Sequence, residues 1–235
     1  MFIKIVYFAL LYRDQWQSIV EEQLTGLKNL DLYQLASEIH MSVIANNTQI
    51  AQLKELLKDK YDKIQLTNIF EDNYYEYPGI KTLYELAQAD ENDTILLYFH
   101  TKGMTSGDKS SRQHMFNNTI ANYRVYLEEF EKNKDLEVGC ALPHIDGFAY
   151  YNFFWCRANY IRQYCPCPQI SQDRYIWEIW LGKAYCSKKS PVITFSPYFH
   201  YNTLPYPINL NQLSPLWSST STSNRIFYFH TNTQS

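Results

Sequence analysis

The stretch Ile95-Leu96-Leu97-Tyr98-Phe99-His100-Thr101-Lys102-Gly103 decides how this chain is read. A short apolar run stops abruptly in a polar cluster closed by glycine. That length and those bounds predict a buried strand over 95–99. His100, Thr101 and Lys102 then stand where a strand meets its loop. In open α/β sheets this is where ligands bind, outside the carboxyl ends of the strands. Lysine offers a point charge to a phosphate, and Gly103 lets backbone approach a ligand closely. The cluster is therefore a candidate diphosphate site, set against the plainer reading of a polar turn.

Upstream, strand and helix patterns alternate. Strands are predicted at 2–10, 35–45 and 63–70, and helices at 13–30, 47–59 and 80–89, with Tyr77-Pro78-Gly79 as a turn. The run at 95–99 is then the fourth strand. Such alternation predicts an α/β domain with a mostly parallel central sheet flanked by helices. Downstream, 104–112 is polar and short-sided and reads as a loop. Helix resumes over 113–132, and 137–142 is a strand. A long connection at 143–154 carries His144, Asp146 and Asn152. Helices follow at 155–164 and 173–181, the latter ended by Gly182, and a late strand at 191–198. From Asn209 the chain is rich in Ser, Thr and Asn and reads as a loosely held tail.

Composition bounds the function. The 235 residues carry a net charge of -3, with 46% hydrophobic and 19% charged residues. That is globular composition, without the basic excess that nucleic acid or an anionic membrane demands. No apolar stretch reaches transmembrane length, and no signal peptide is apparent. Five cysteines without a secretion signal point to reduced thiols and a cytoplasmic setting. Cys165-Pro166-Cys167 has no second pair at zinc spacing and reads as two loop thiols. Walker, Gly-x-Gly-x-x-Gly, Gly-x-Ser-x-Gly and His-Glu-x-x-His motifs are absent, which lowers the weight of kinases, dehydrogenases, α/β-hydrolases and zincins.

Three acidic residues are candidate bases. Asp146 can serve as a general base or metal ligand, though Asp-Gly is also a turn signal. Glu178 lies between Trp177 and Trp180, where apolar surroundings raise a carboxyl pKa; a helical ion pair to Arg174 is the alternative. Asp173 suits a helix N-terminus. His144 can bind a phosphate or a metal.

Four blocks carry a resemblance. They are Trp16-Gln-Ser-Ile-Val-Glu-Glu-Gln-Leu24; Tyr77-Pro-Gly-Ile-Lys-Thr-Leu-Tyr84 leading into Leu97-Tyr-Phe-His-Thr-Lys-Gly103; His144 with Asn152-Phe-Phe-Trp155 and Tyr160-Ile161; and Arg174-Tyr175 with Glu178-Ile-Trp-Leu-Gly182. In that order the chain resembles small bacterial and viral glycosyltransferases related to the GT-A superfamily. The His-Thr-Lys-Gly run is also similar to that of rhamnan-synthesis transferases.

The resemblance implies one GT-A-like domain over residues 1–208, followed by the tail at 209–235. It implies transfer of a sugar from a nucleoside-diphosphate sugar to a glycan acceptor, or a sugar- or partner-binding module without turnover. Ala9, Leu10 and Phe70 would line the nucleotide pocket, Tyr84 would pack on the base, and His100, Thr101, Lys102 and Gly103 would hold the diphosphate. His144, Asn152, Trp155 and Trp180 would face the substrate, the tryptophans as sugar-stacking surfaces. Asp146 ranks first as base, then Glu178, then Asp173. Many GT-A enzymes hold Mn²⁺ or Mg²⁺ on an Asp-x-Asp motif where His100-Thr101-Lys102 stands here. That departure puts metal dependence in question, since lysine and histidine can neutralise a diphosphate directly.

Overall fold

The computed structural model describes residues 1–12, 15–92, 94–102, 109–144, 148–188, 192, 194–197 and 227–229. Gly103, Asp146 and most of the C-terminal tail lie outside them. The first half follows the predicted alternation: β1 (Phe2–Leu10), α1 (Trp16–Asn29), a single turn α2 (Leu32–Leu35), β2 (Glu38–Ile44), α3 (Asn47–Leu57), β3 (Ile64–Phe70), α4 (Tyr77–Ala89) and β4 (Thr94–His100). The second half comprises α5 (Lys109–Met115), a π-helical segment (Phe116–Ala121), α6 (Tyr123–Lys132), β5 (Val138–Cys140), β6 (Phe154–Arg157), α7 (Ala158–Tyr164), α8 (Tyr175–Glu178), α9 (Trp180–Ser187), β7 (Thr194–Ser196) and β8 (Phe227–Phe229).

The strands form one sheet in the order β3-β2-β1-β4-β6-β5-β7-β8. The pairs β1–β2, β2–β3 and β1–β4 are parallel, and β6 runs antiparallel to both β4 and β5. The chain leaves β1 toward β2 and β3, then returns to β1's other side as β4. That reversal makes a switch point, with a crevice at the carboxyl ends of β1 and β4. Alternate residues of β1 face opposite layers. Ile3, Ile5 and Tyr7 join Leu24, Leu27, Leu53, Tyr126 and Phe130 on one side. Val6 and Phe8 join Ile80, Leu83, Ile161 and Trp177 on the other. Every residue of β4 is buried, as expected of a strand covered on both faces.

Several expectations are corrected. Residues 155–157 belong to β6, not to a helix. Phe154-Trp155-Cys156-Arg157 is buried throughout, so it lacks the alternation that would mark a strand. Gly182 lies inside α9 and does not end a helix. The predicted helix over 113–132 starts at Lys109 and passes through the π-helical segment. Phe227–Phe229, in the stretch expected to be loosely held, pairs in parallel with β7.

Tyr77-Pro78-Gly79 is the first turn of α4, with proline at the helix start where its missing N–H costs nothing. Gly79 is there for proximity. A Cβ at this position would lie 2.7 Å from Phe8 Cβ and 2.9 Å from the Tyr98 ring. Glycine thus lets the head of α4 settle directly onto β1 and β4. Gly79→Ala, which would stabilise an isolated helix, is expected to destabilise this protein by about 1–3 kcal/mol through overpacking, measured by urea unfolding.

Candidate functional site

The carboxyl ends of β1 and β4 are stitched together by Thr101. Its N–H donates to Phe8 O (3.0 Å) and its Oγ1 accepts from Leu10 N (3.1 Å). The turn that follows is held from two helices. Gln23 Nε2 of α1 donates to His100 O (3.2 Å), and Tyr7 Oη donates to Gln23 Oε1 (2.8 Å). Arg112 of α5 donates to Lys102 O (3.2 Å) and ion-pairs with Glu22 (3.2 Å). Gln23 and Arg112 are buried. Nothing in their local sequence marks them as site residues.

The principal residue missed in the sequence is Glu76, which sits immediately before α4. Its Oε2 accepts from Asn152 Nδ2 (2.8 Å) and Tyr98 Oη (3.3 Å), and its Oε1 lies 3.8 Å from His100 Nε2. His100 Nε2 also lies 2.9 Å from Tyr151 O. A carbonyl can only accept, so this contact assigns the ring hydrogen to Nε2. Burial pushes the His100 pKa down, and Lys102 adds to the effect. Glu76, the Tyr151 carbonyl and Glu178 oppose it only in part. The imidazole is therefore neutral at pH 7, and the positive charge of the cluster resides on Lys102. Its Nζ lies 4.3 Å from the centre of the Tyr151 ring, a cation–π arrangement. In this state the charge offered to a diphosphate comes from Lys102 rather than from His100.

Backbone strain gathers here. Tyr75, Tyr151 and Asn152 have φ of 55°, 64° and 51°, in the left-handed region that non-glycine residues seldom adopt. Two flank or bond the Glu76 carboxylate, and the third supplies the carbonyl that holds His100. Clustered outliers of this kind are characteristic of functional sites.

The remaining expected residues divide. Asn152 is enclosed. Its amide donates to Glu76 and to Trp177 O (3.0 Å), so it braces the site rather than presenting a face to substrate. Trp155 is fully buried, with Nε1 donating to Thr119 O (2.9 Å), and Trp180 is buried, with Nε1 donating to Pro166 O (3.0 Å). Neither can stack on a sugar. Exposed rings among the described residues here include Tyr12, Tyr151 and Tyr175, 45%, 38% and 59% accessible. Tyr84 lies in the far half of α4, where burial and the nearby Cys167 and Cys165 push its phenol pKa up, away from the strand ends. Phe70 packs edge-on to Tyr74 (5.8 Å) and Tyr77 (5.5 Å). Leu10 is partly buried beside the same layer, whereas Ala9 is fully enclosed in the opposite one.

Glu178 pairs with Arg174 (3.0 Å), the helical ion pair named as its alternative. Asp173 caps the turn ahead of α8, its Oδ1 accepting from Tyr175 N (3.0 Å). His144 stacks on Phe148, with centroids 4.1 Å apart, and its N–H donates to Phe148 O (2.8 Å). The two residues thus bring together the chain on either side of 145–147, and Asp146 lies outside the described residues. The strand-end donors, a neutral imidazole engaged at Nε2 and an ammonium, are not the oxygen set that Mn²⁺ or Mg²⁺ takes. Among the described residues no three His, Cys, Asp or Glu side chains converge on a metal position. Cys140, Cys156, Cys165 and Cys167 form no disulfide.

No family model and no curated protein matches this chain. Among solved structures it is similar to 4-diphosphocytidyl-2C-methyl-D-erythritol synthase. The two share 7% identity and a TM-score of 0.41, over 69% of this chain and 78% of the other. No described helix is long and apolar enough to cross a membrane.

A pH dependence follows from His100. Its folded pKa lies below the ordinary 6.5, so the unfolded chain binds the proton first as pH falls. Folding stability is then lost as pH drops from about 6.5 through the lowered folded value. Urea unfolding between pH 7.5 and 5 should show this decline, and His100→Asn should make it shallower.

Proposed function

We propose that this chain is a glycosyltransferase that moves a sugar from a nucleoside-diphosphate sugar to a glycan acceptor. The observation that carries the reading is Lys102. Its ammonium stands at the carboxyl end of β4, at the switch point of the sheet, on a turn clamped by Thr101, Gln23 and Arg112. A cation on a preorganised turn stabilises the charge that develops on a departing diphosphate. The resemblance of the four sequence blocks to GT-A-related transferases supports the same reading.

The nucleotide would lie along the ends of β1 and β3, against Leu10 and Phe70. Tyr151 and Tyr175 offer the sugar-stacking faces that the enclosed tryptophans cannot. Lys102 would supply charge to the diphosphate directly. Of the three carboxylates considered as base, Glu178 is engaged by Arg174 and Asp173 by the turn before α8.

The test is calorimetric titration with UDP-glucose, UDP-galactose, GDP-mannose and dTDP-rhamnose, with Mn²⁺ or with EDTA, alongside nucleotide release. Binding with release supports transfer, and binding without release supports a sugar-binding module. Absence of binding to all four removes both. Lys102→Ala is expected to weaken donor binding about tenfold or more, the scale of a charge-assisted phosphate contact. Unchanged affinity would remove the diphosphate assignment.

A further inference from the structure

His100 has a second feature that diphosphate binding does not use. Its Nε2–H is committed to Tyr151 O, with the Glu76 carboxylate behind it at 3.8 Å. Nδ1 makes no hydrogen bond to a described residue. The ring is wedged between Tyr98 and Phe153, with centroids 6.5 and 5.3 Å away. With Nε2 committed, Nδ1 is the ring's remaining lone pair, and the side chain keeps 11% of its surface accessible, one residue removed in β4's turn from Lys102.

Resting on the proposed transfer reaction, we infer that His100 is its general base. Nδ1 takes the proton of the acceptor hydroxyl as that oxygen bonds to the anomeric carbon. The bond from that carbon to the diphosphate oxygen breaks, and the leaving diphosphate carries away the electron pair beside Lys102. Glu76 is the positioning residue. Its carboxylate, anchored by Asn152 and Tyr98, favours the imidazolium once it forms, much as a buried acid orients and stabilises a catalytic histidine. The charged groups around the ring are Glu76 and Glu178, which favour the protonated form, and Lys102, which opposes it. Arg174 screens Glu178 through their ion pair. A base must be unprotonated at working pH and within hydrogen-bond reach of the proton it takes; a neutral ring with an unengaged Nδ1 at the strand end suits both conditions.

Long-range ¹H–¹⁵N spectra of the full chain read the ring without any turnover. The expected result is the Nε2–H tautomer at pH 7 with midpoint below 6.5, moving lower in Glu76→Gln. An Nδ1–H tautomer, or an imidazolium at pH 7, overturns the proposal. Kinetics with the four nucleotide sugars, with water and methyl glycosides as acceptors, read the role itself. His100→Gln should keep donor affinity within about twofold of the parent and slow nucleotide release at saturation about 100-fold or more, the scale of general-base catalysis. The acidic limb of the pH–rate profile should disappear in His100→Gln and shift to lower pH in Glu76→Gln. If His100→Gln binds donor normally and releases nucleotide at the parent rate, or if Asp146→Asn alone removes the acidic limb, His100 is not the base and the transferase reading stands. If the parent protein binds none of the donors, the transferase reading falls and the base assignment falls with it.

Discussion

Everything at the strand ends depends on how closely the first turn of α4 approaches the sheet. Gly79 leaves no Cβ between the helix and the layer formed by Phe8 and Tyr98. The backbone therefore sits where any other residue would be stopped by contact. Glu76, three residues earlier, is carried by that approach over the ends of β1 and β4. There its carboxylate meets the Tyr98 hydroxyl, the Asn152 amide and the His100 ring. Removing a carboxylate even partly from water is costly unless its oxygens are engaged, and these partners offset that cost. The close packing of one helix turn thus fixes the charge arrangement of the whole site.

The two ionisable groups of the His-Thr-Lys cluster part company under burial. The imidazole is short and lies within the wall formed by Tyr98 and Phe153, so desolvation favours its neutral form. The lysine stem is long enough to carry its ammonium over the Tyr151 ring. Adjacent positions in one tripeptide therefore perform different chemistry: one keeps a proton-accepting nitrogen, the other keeps a charge. The strained turn at Tyr151 and Asn152 serves both, because its carbonyl orients the ring and its aromatic side chain covers the ammonium.

The second half of the chain shows where the local pattern is silent. β6 enters antiparallel between β4 and β5, buried on both faces, so its residues show neither alternation nor helical spacing. Trp155 and Trp180 have the composition of carbohydrate-stacking residues, yet both indoles point inward and satisfy their N–H groups on backbone carbonyls. Composition cannot tell an aromatic face turned to solvent from one turned to the core. Glu178 and Asp173, by contrast, took the local roles that their spacing allowed, because an i,i+4 pair and a helix-start carboxylate need no distant partner.

By itself the sequence determined the alternating first half, the parallel sheet it builds, and the emergence of His100, Thr101 and Lys102 at a strand end. These follow from hydrophobic periodicity and from punctuation by glycine and proline, which act within a few residues of chain. The tertiary structure alone decided that Glu76, Asn152, Gln23 and Arg112 surround that cluster, since these residues are separated from it by between 10 and 77 positions and meet only when the layers close. It also decided that the His100 pKa is pushed down, because the protonation of a side chain depends on how much water its neighbours exclude.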